Sequence, residues 1–160
     1  SIMELFKKYI IESSIEIKTF PDKIWDFFYN LEKNYKEWYP EEHHFFRWTK
    51  GKPLEIDSKF DSLEIVSGHK TRLKGKCIEA IKNKNIAFKP AFPASIMCTK
   101  LEWIFESNGE TTVFLAKTYY KFGKIFLSLK KGAAKEIMKI TKRHMDTEGV
   151  NLKNILEKND

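Results

Sequence analysis

The sequence predicts an α+β domain, an antiparallel sheet packed against one long C-terminal helix. Three observations carry that reading. After Trp48, runs with β-type alternation are separated by recurrent turn clusters. From about Lys124 to about Glu157 the apolar period becomes helical and stays so. The 160 residues contain no repeat, no low-complexity segment and no Pro/Gly/Ser linker, which fits a single domain over 1–160.

The elements follow in order. Ile10 to Thr19, "IIESSIEIKT", alternates as a first strand. "FPDKIWDFFYNLEKNYKEW" changes period: Pro21 suits a first helical turn, and Ile24, Phe27, Phe28 and Leu31 recur at helical spacing, with a break near Asn30 to Asn34. Turn clusters then stand at "KGKP", "SGHK", "KNKN", "PAFP" and "SNGE", dividing about six strands into a meander. Phe60, Ser62, Glu64 and Val66 share one face of their strand, and Thr71, Leu73, Gly75 and Cys77 one face of the next. Leu101, Trp103 and Phe105 oppose Lys100, Glu102 and Glu106, while Phe114, Ala116, Thr118 and Tyr120 oppose Lys117 and Lys121. The last helix carries its stripe on Ile137, Ile140, Met145, Leu152, Ile155 and Leu156, and Gly132 marks a kink or its true start. A curved sheet around such a helix encloses a cavity. Phe60, Leu73, Phe88, Trp103, Phe105, Phe114 and Tyr120 are expected to line it.

Composition narrows the function. The chain is 42% hydrophobic, so disorder is not expected, and its net charge of +7 comes from 29 Lys+Arg against 22 Asp+Glu. The surplus is lysine spread along the whole chain, and the arginines are Arg47, Arg72 and Arg143. That distribution reads as a solvated surface rather than a nucleic-acid reader. Cys77 and Cys98 have no metal-type spacing and read as reduced thiols. No apolar run reaches membrane-spanning length, and the N-terminus lacks a leader pattern, so a cytoplasmic location is expected with no membrane insertion. No nucleophile elbow, phosphate loop or dinucleotide fingerprint occurs.

The polar residues that stand out sit among aromatics. "WYPEEHHFFRW", Trp38 to Trp48, sets two carboxylates and two histidines between rings. His144 and Glu148 are four apart on the last helix and share a face; they form either an inward pair or a solvent-facing i,i+4 contact. Glu64 lies mid-strand beside Phe60 and Val66, where a carboxylate must be paired unless Leu63 and Ile65 are the inward residues. With His43 or His44 these residues make a His2Glu2 set, a donor set for zinc or another borderline divalent metal. Without metal, two close glutamates in an apolar setting would leave one of them protonated.

Together, "WYPEEHHFFRW", "FDSLEIVSG", "WIFE" and "RHMDTEGVNLKNILE" resemble the SRPBCC superfamily, also called START-like or polyketide cyclase/dehydrase-like. The similarity is greatest to small metal-site members related to diacetylphloroglucinol hydrolase. In that group a Tyr-Lys-x-Trp-x-Pro-Glu-Asp-His run is similar to Tyr35 through His43 here. A strand glutamate ahead of a glycine is similar to Glu64 before Gly68, and a C-terminal His-x-x-x-Glu-x-x-Asn-Leu to His144, Glu148, Asn151 and Leu152. The resemblance implies a helix-grip fold and a metal held by His43, Glu64, His144 and Glu148. It implies a small hydrophobic or aromatic, polyketide-like ligand, and a metal-dependent hydrolase or lyase acting on a carbonyl compound. Tyr39, Glu42, His44 and His69 are the acid–base groups at hand. The same superfamily also implies the alternative of a non-catalytic carrier or sensor. The hydrolase type has a longer N-terminal portion, whereas this chain reaches its first helix near Pro21, so substrate identity does not carry over.

Overall fold

The structure is a computed structural model and describes residues 5–158. Strand β1 (Phe6–Ile17) is followed by helices α1 (Pro21–Tyr29) and α2 (Leu31–Trp38). Strands β2 (His43–Lys50), β3 (Lys59–Val66), β4 (His69–Ile81), β5 (Asn85–Pro90), β6 (Cys98–Asn108) and β7 (Thr111–Gly123) come next, and helix α3 (Lys124–Lys158) closes the chain. The seven strands form one sheet in the order β1-β7-β6-β5-β4-β3-β2, every neighbour antiparallel. The sheet wraps α3, giving the helix-grip fold that the sequence predicts. Among the described residues, no helix is long and apolar enough to cross a membrane.

Local chemistry accounts for most boundaries. Pro21 occupies the first turn of α1, where its missing N–H costs nothing. Asn30 ends α1 by returning both its backbone N–H and its side-chain amide to the Asp26 carbonyl, and α2 begins at the next residue. Strand β1 starts at Phe6, earlier than Ile10, because β7 offers it partners as far as Gly123. The break in α3 falls at Lys130, whose φ of −134° and ψ of 40° are non-helical, and not at Gly132. Before it, the Phe126 ring stacks on Phe122, 5.9 Å between centroids; beyond it, Ala134 is buried. From Lys131 the helix runs unbroken to Lys158. It approaches β1 so closely that a Cβ at Gly149 would stand 3.3 Å from Ile15 Cγ2, which explains a glycine within a helix.

The core has two zones. At one end of the sheet, Phe28 of α1 stacks on Trp103 at 4.3 Å, Phe114 at 5.7 Å and Phe105 at 6.0 Å between ring centroids. Toward the other end the space between sheet and α3 stays open as a cavity of about 430 Å³. Phe60, Leu73, Phe88, Trp103 and Tyr120 line that cavity as expected from their faces. Phe105 and Phe114 do not: they lie on the predicted face, but α1 fills the space above them, so they are closed core.

Candidate metal centre

One wall of the cavity is polar. Strand β2 opens at His43, which pairs directly with Glu64 of β3, so both side chains leave the sheet on the same face. A bulge follows between His43 and Phe45 and turns His44 out to solvent. His43 is completely buried. From α3, His144 and Glu148 descend onto the same point, one helical turn apart. Glu64, His144 and Glu148 line the cavity, with His43 behind them. One donor atom from each of the four lies within 4.8 Å of every other.

The orientation of the donors is the informative part. Nε2 of His43 stands 2.8 Å from Glu148 Oε2 and 3.5 Å from Glu64 Oε1. Nε2 of His144 stands 3.3 Å from Glu148 Oε2 and 3.4 Å from Glu64 Oε2. Tetrahedral zinc with bonds of about 2.0–2.1 Å separates its donors by roughly 3.3–3.4 Å; the two gaps from His144 match that edge, at 3.3 and 3.4 Å, and the His43–Glu64 gap of 3.5 Å is close to it. Both Nδ1 atoms are turned away and satisfied. That of His43 donates to the Tyr35 backbone carbonyl at 2.9 Å, and that of His144 donates to Glu42 Oε1 at 2.7 Å. This arrangement aims Nε2 of each ring at the two glutamates, that of His43 in a hydrogen bond with Glu148 Oε2. Nε2 of His144 is buried and has no hydrogen-bond partner, a costly state for a polar atom unless something else occupies that corner. The residues present therefore fit a divalent ion in the zinc class.

The aromatics of the histidine stretch hold these rings. Tyr35 stacks on His43 at 3.9 Å and 6° between planes, and Tyr39 stacks on His144 at 5.1 Å and 14°. The Tyr35 hydroxyl donates to Glu64, and the Trp38 indole N–H donates to the Glu148 backbone carbonyl at 2.8 Å. Glu42 is gripped in turn by Arg143 Nη2 at 2.9 Å and by the Ser67 backbone N–H at 3.1 Å, while Arg143 Nη1 donates to the Tyr39 hydroxyl at 2.9 Å. Tyr35 and Arg143 were not legible as site residues. The Tyr35–Tyr39 spacing of one helical turn and the adjacency of Arg143 to His144 were the available signs.

Electrostatics bind the cluster together. Burial opposes a charge on His144, but the Glu148 and Glu64 carboxylates outweigh it and raise its proton affinity well above that of an ordinary histidine. Burial likewise disfavours the Glu148 carboxylate, yet His144 and then His43 hold its pKa low. The two effects act in the same sense, favouring the charged form of both His144 and Glu148. Glu42 also resists burial, its pKa lowered to about 2 by hydrogen bonds from Arg143, His144 and the Ser67 N–H. Burial raises the Tyr35 hydroxyl well above its usual value, with Glu64 and Glu148 adding to it. Of the four acid–base groups read from the sequence, His69 lines the cavity; Tyr39 and Glu42 lie behind His144, and His44 faces solvent. Burial raises both thiols, Cys77 and Cys98, to about 11, so neither is a ready nucleophile. All three arginines are engaged with carboxylates, Arg47 and Arg72 with Asp61 and Arg143 with Glu42.

Neither a family model nor a curated protein matches the sequence. Solved structures do match by shape. The Zhui aromatase/cyclase from Streptomyces sp. R1128 superposes with a TM-score of 0.76 at 13% identity, over 94% of each chain. Norcoclaurine synthase from Thalictrum flavum, in complex with dopamine and hydroxybenzaldehyde, gives 0.74 at 13% identity, over 98% of this chain and 91% of that one. Major latex-like protein 151 from Panax ginseng gives 0.67 at 15% identity, over 92% and 99%. At these identities the likeness shows the fold alone.

Proposed function

We propose that the chain binds a small hydrophobic or aromatic, polyketide-like molecule in the cavity, beside a zinc-like divalent metal held by His43, Glu64, His144 and Glu148. The observation that carries the metal is the pair of histidines with Nδ1 tied back and Nε2 converging on two glutamates. The cavity volume of about 430 Å³ suits a ligand of a few fused or linked rings. An aromatase/cyclase and an aromatic-bound synthase among the similar structures support an aromatic ligand. Placement in the SRPBCC superfamily agrees with those shapes, while kinship to diacetylphloroglucinol hydrolase rests on the sequence motifs alone.

A bound divalent ion supplies Lewis acidity toward a carbonyl and lowers the pKa of water. The protein's own part is to present that corner to the ligand. Phe60, Leu73, Phe88 and Trp103 exclude water from the ligand's body, and His69 and Tyr120 offer exchangeable protons at the cavity surface. That combination supports hydrolysis or lyase chemistry on a small carbonyl compound. A carrier role is the second reading, favoured by a lining that is apolar over most of its extent.

The test is metal content together with thermal melting. Protein purified without chelator should hold about one divalent ion per chain. Chelation should lower the melting temperature by several degrees and zinc should restore it, since an ion at a hundredfold excess over its Kd adds about 2.7 kcal/mol. His144→Ala and His43→Ala should abolish that shift, and His44→Ala and His69→Ala should keep it. Metal-free protein whose melting ignores both chelator and zinc would leave the carrier reading in place of the enzyme.

A further inference from the structure

The mouth of the cavity has an unusual surroundings. Its rim includes the exposed His69 and Thr71 of β4, Ala94 and Cys98 around the β5–β6 connection, and Ile137 and Thr141 of α3. Next to that rim, large apolar side chains face water. Ile125 is 76% exposed and Leu129 75%, one turn apart on the segment of α3 that precedes the break at Lys130. Phe92, just before the short 3₁₀ turn Ala94–Ile96, is 77% exposed, and Ile96 at its end 57%. The two segments lie at one end of the sheet, where β6 begins and β7 ends: Cys98 pairs with Tyr120, and the Lys121 N–H donates to the Met97 carbonyl at 2.7 Å.

Charge at this end is mostly positive, many lysines against the exposed Glu41 and Glu136. From the end of β5 to the start of β6 the chain carries Lys89 and Lys100 and no carboxylate. Between Glu110 and Glu136 it carries Lys117, Lys121, Lys124, Lys130, Lys131 and Lys135, again with none. Glu42 comes from the connection before β2 at the same end, and Arg143 already pairs with it. Exposed apolar residues set among lysines match an interface that is apolar within and anionic at its face. A nucleic acid would use the charge but leave Phe92, Ile96, Ile125 and Leu129 in water. A second copy of this end would set lysine against lysine.

We propose that this end of the molecule docks on an anionic lipid surface. Ile125, Leu129, Phe92 and Ile96 enter the headgroup region, and Lys124, Lys130 and Lys131 meet the lipid phosphates. Docking stands on the surface alone. Its consequence, that an apolar ligand passes between bilayer and cavity without crossing water, rests on the cavity reading above.

Vesicle sedimentation tests it, with phosphatidylcholine alone and phosphatidylcholine mixed with phosphatidylserine. The protein should partition onto the mixed vesicles about tenfold or more better than onto the neutral ones, and added salt should weaken it. The double variant Ile125→Ser/Leu129→Ser and the charge reversal Lys130→Glu/Lys131→Glu should each lose that preference at unchanged melting temperature. Ile78→Ser/Ile81→Ser, exposed residues toward the far end of β4, should retain it. Equal partitioning onto both vesicles, or binding that survives both mouth variants, overturns the proposal. So does binding to duplex DNA without binding to vesicles. Metal content is read separately and is expected to be the same in every variant, so failure here leaves the metal reading untouched.

Discussion

At the scale of residues, the site is two layers deep. His144 does not hold itself in place: Glu42 accepts from its Nδ1, Arg143 braces Glu42, and Tyr39 covers the ring. Removing the charge of Glu42 while keeping its shape should let the imidazole rotate and lose basicity. Glu42→Gln is therefore expected to weaken zinc affinity about 10–100-fold in competition with a chromophoric chelator, with the far-ultraviolet circular dichroism unchanged. The aromatic residues of the histidine stretch have the same purpose. Rings stacked on His43 and His144 shield a cluster whose outer polar edges are hydrogen-bonded, which is how charge and aromatic bulk share eleven residues of sequence.

At the scale of elements, α1 decides how long the cavity is. Its Phe28 fills the end of the sheet over Phe105 and Phe114, and nothing comparable covers Phe60 or Phe88 on the cavity side. Phe28→Ala should cost about 3–5 kcal/mol in urea unfolding, because a fully buried ring packed against five others is removed. Phe114→Ala should destabilise comparably yet leave the affinity for an apolar fluorescent probe unchanged. Widening at Leu73→Ala should alter probe affinity with a smaller loss of stability, since Leu73 is already at the cavity wall.

At the scale of the whole molecule, two buried carboxylates set the response to acid: Asp61 links β2, β3 and β4 within the sheet, and Glu42 ties the start of β2 to α3. Hydrogen bonds from Arg72, helped by Arg47, hold Asp61 at about 2 against its burial, and Glu42 is held at about 2 by Arg143 and His144. Both values lie below the roughly 3.9–4.3 of the unfolded chain. A carboxylate depressed on folding contributes stability that is fully present above the unfolded value and is lost as pH falls through the folded one. The melting temperature of metal-free protein should accordingly decline steeply between about pH 4 and pH 2. Asp61→Asn should be less stable at neutral pH and show a shallower decline, as followed by differential scanning calorimetry across that range.

What the sequence determined by itself was periodic or local. Alternation placed Glu64 on the same face as Phe60, helical spacing put His144 and Glu148 together, and Pro21 and Asn30 bounded α1 through their own backbone chemistry. The antiparallel sheet and long helix follow from those periods, since each apolar face needs the other to cover it. Only the tertiary structure shows that His43 faces the cluster and His44 the solvent, because the bulge after His43 arises from pairing with β3 and leaves no trace in the composition of "EEHHFF". It alone separated Phe105 and Phe114 from the cavity, since the helix that covers them lies more than seventy residues earlier in the chain. It also gave Arg143 its partner, Glu42. Those outcomes depend on distances between segments remote in sequence, and neither alternation nor spacing contains such a distance.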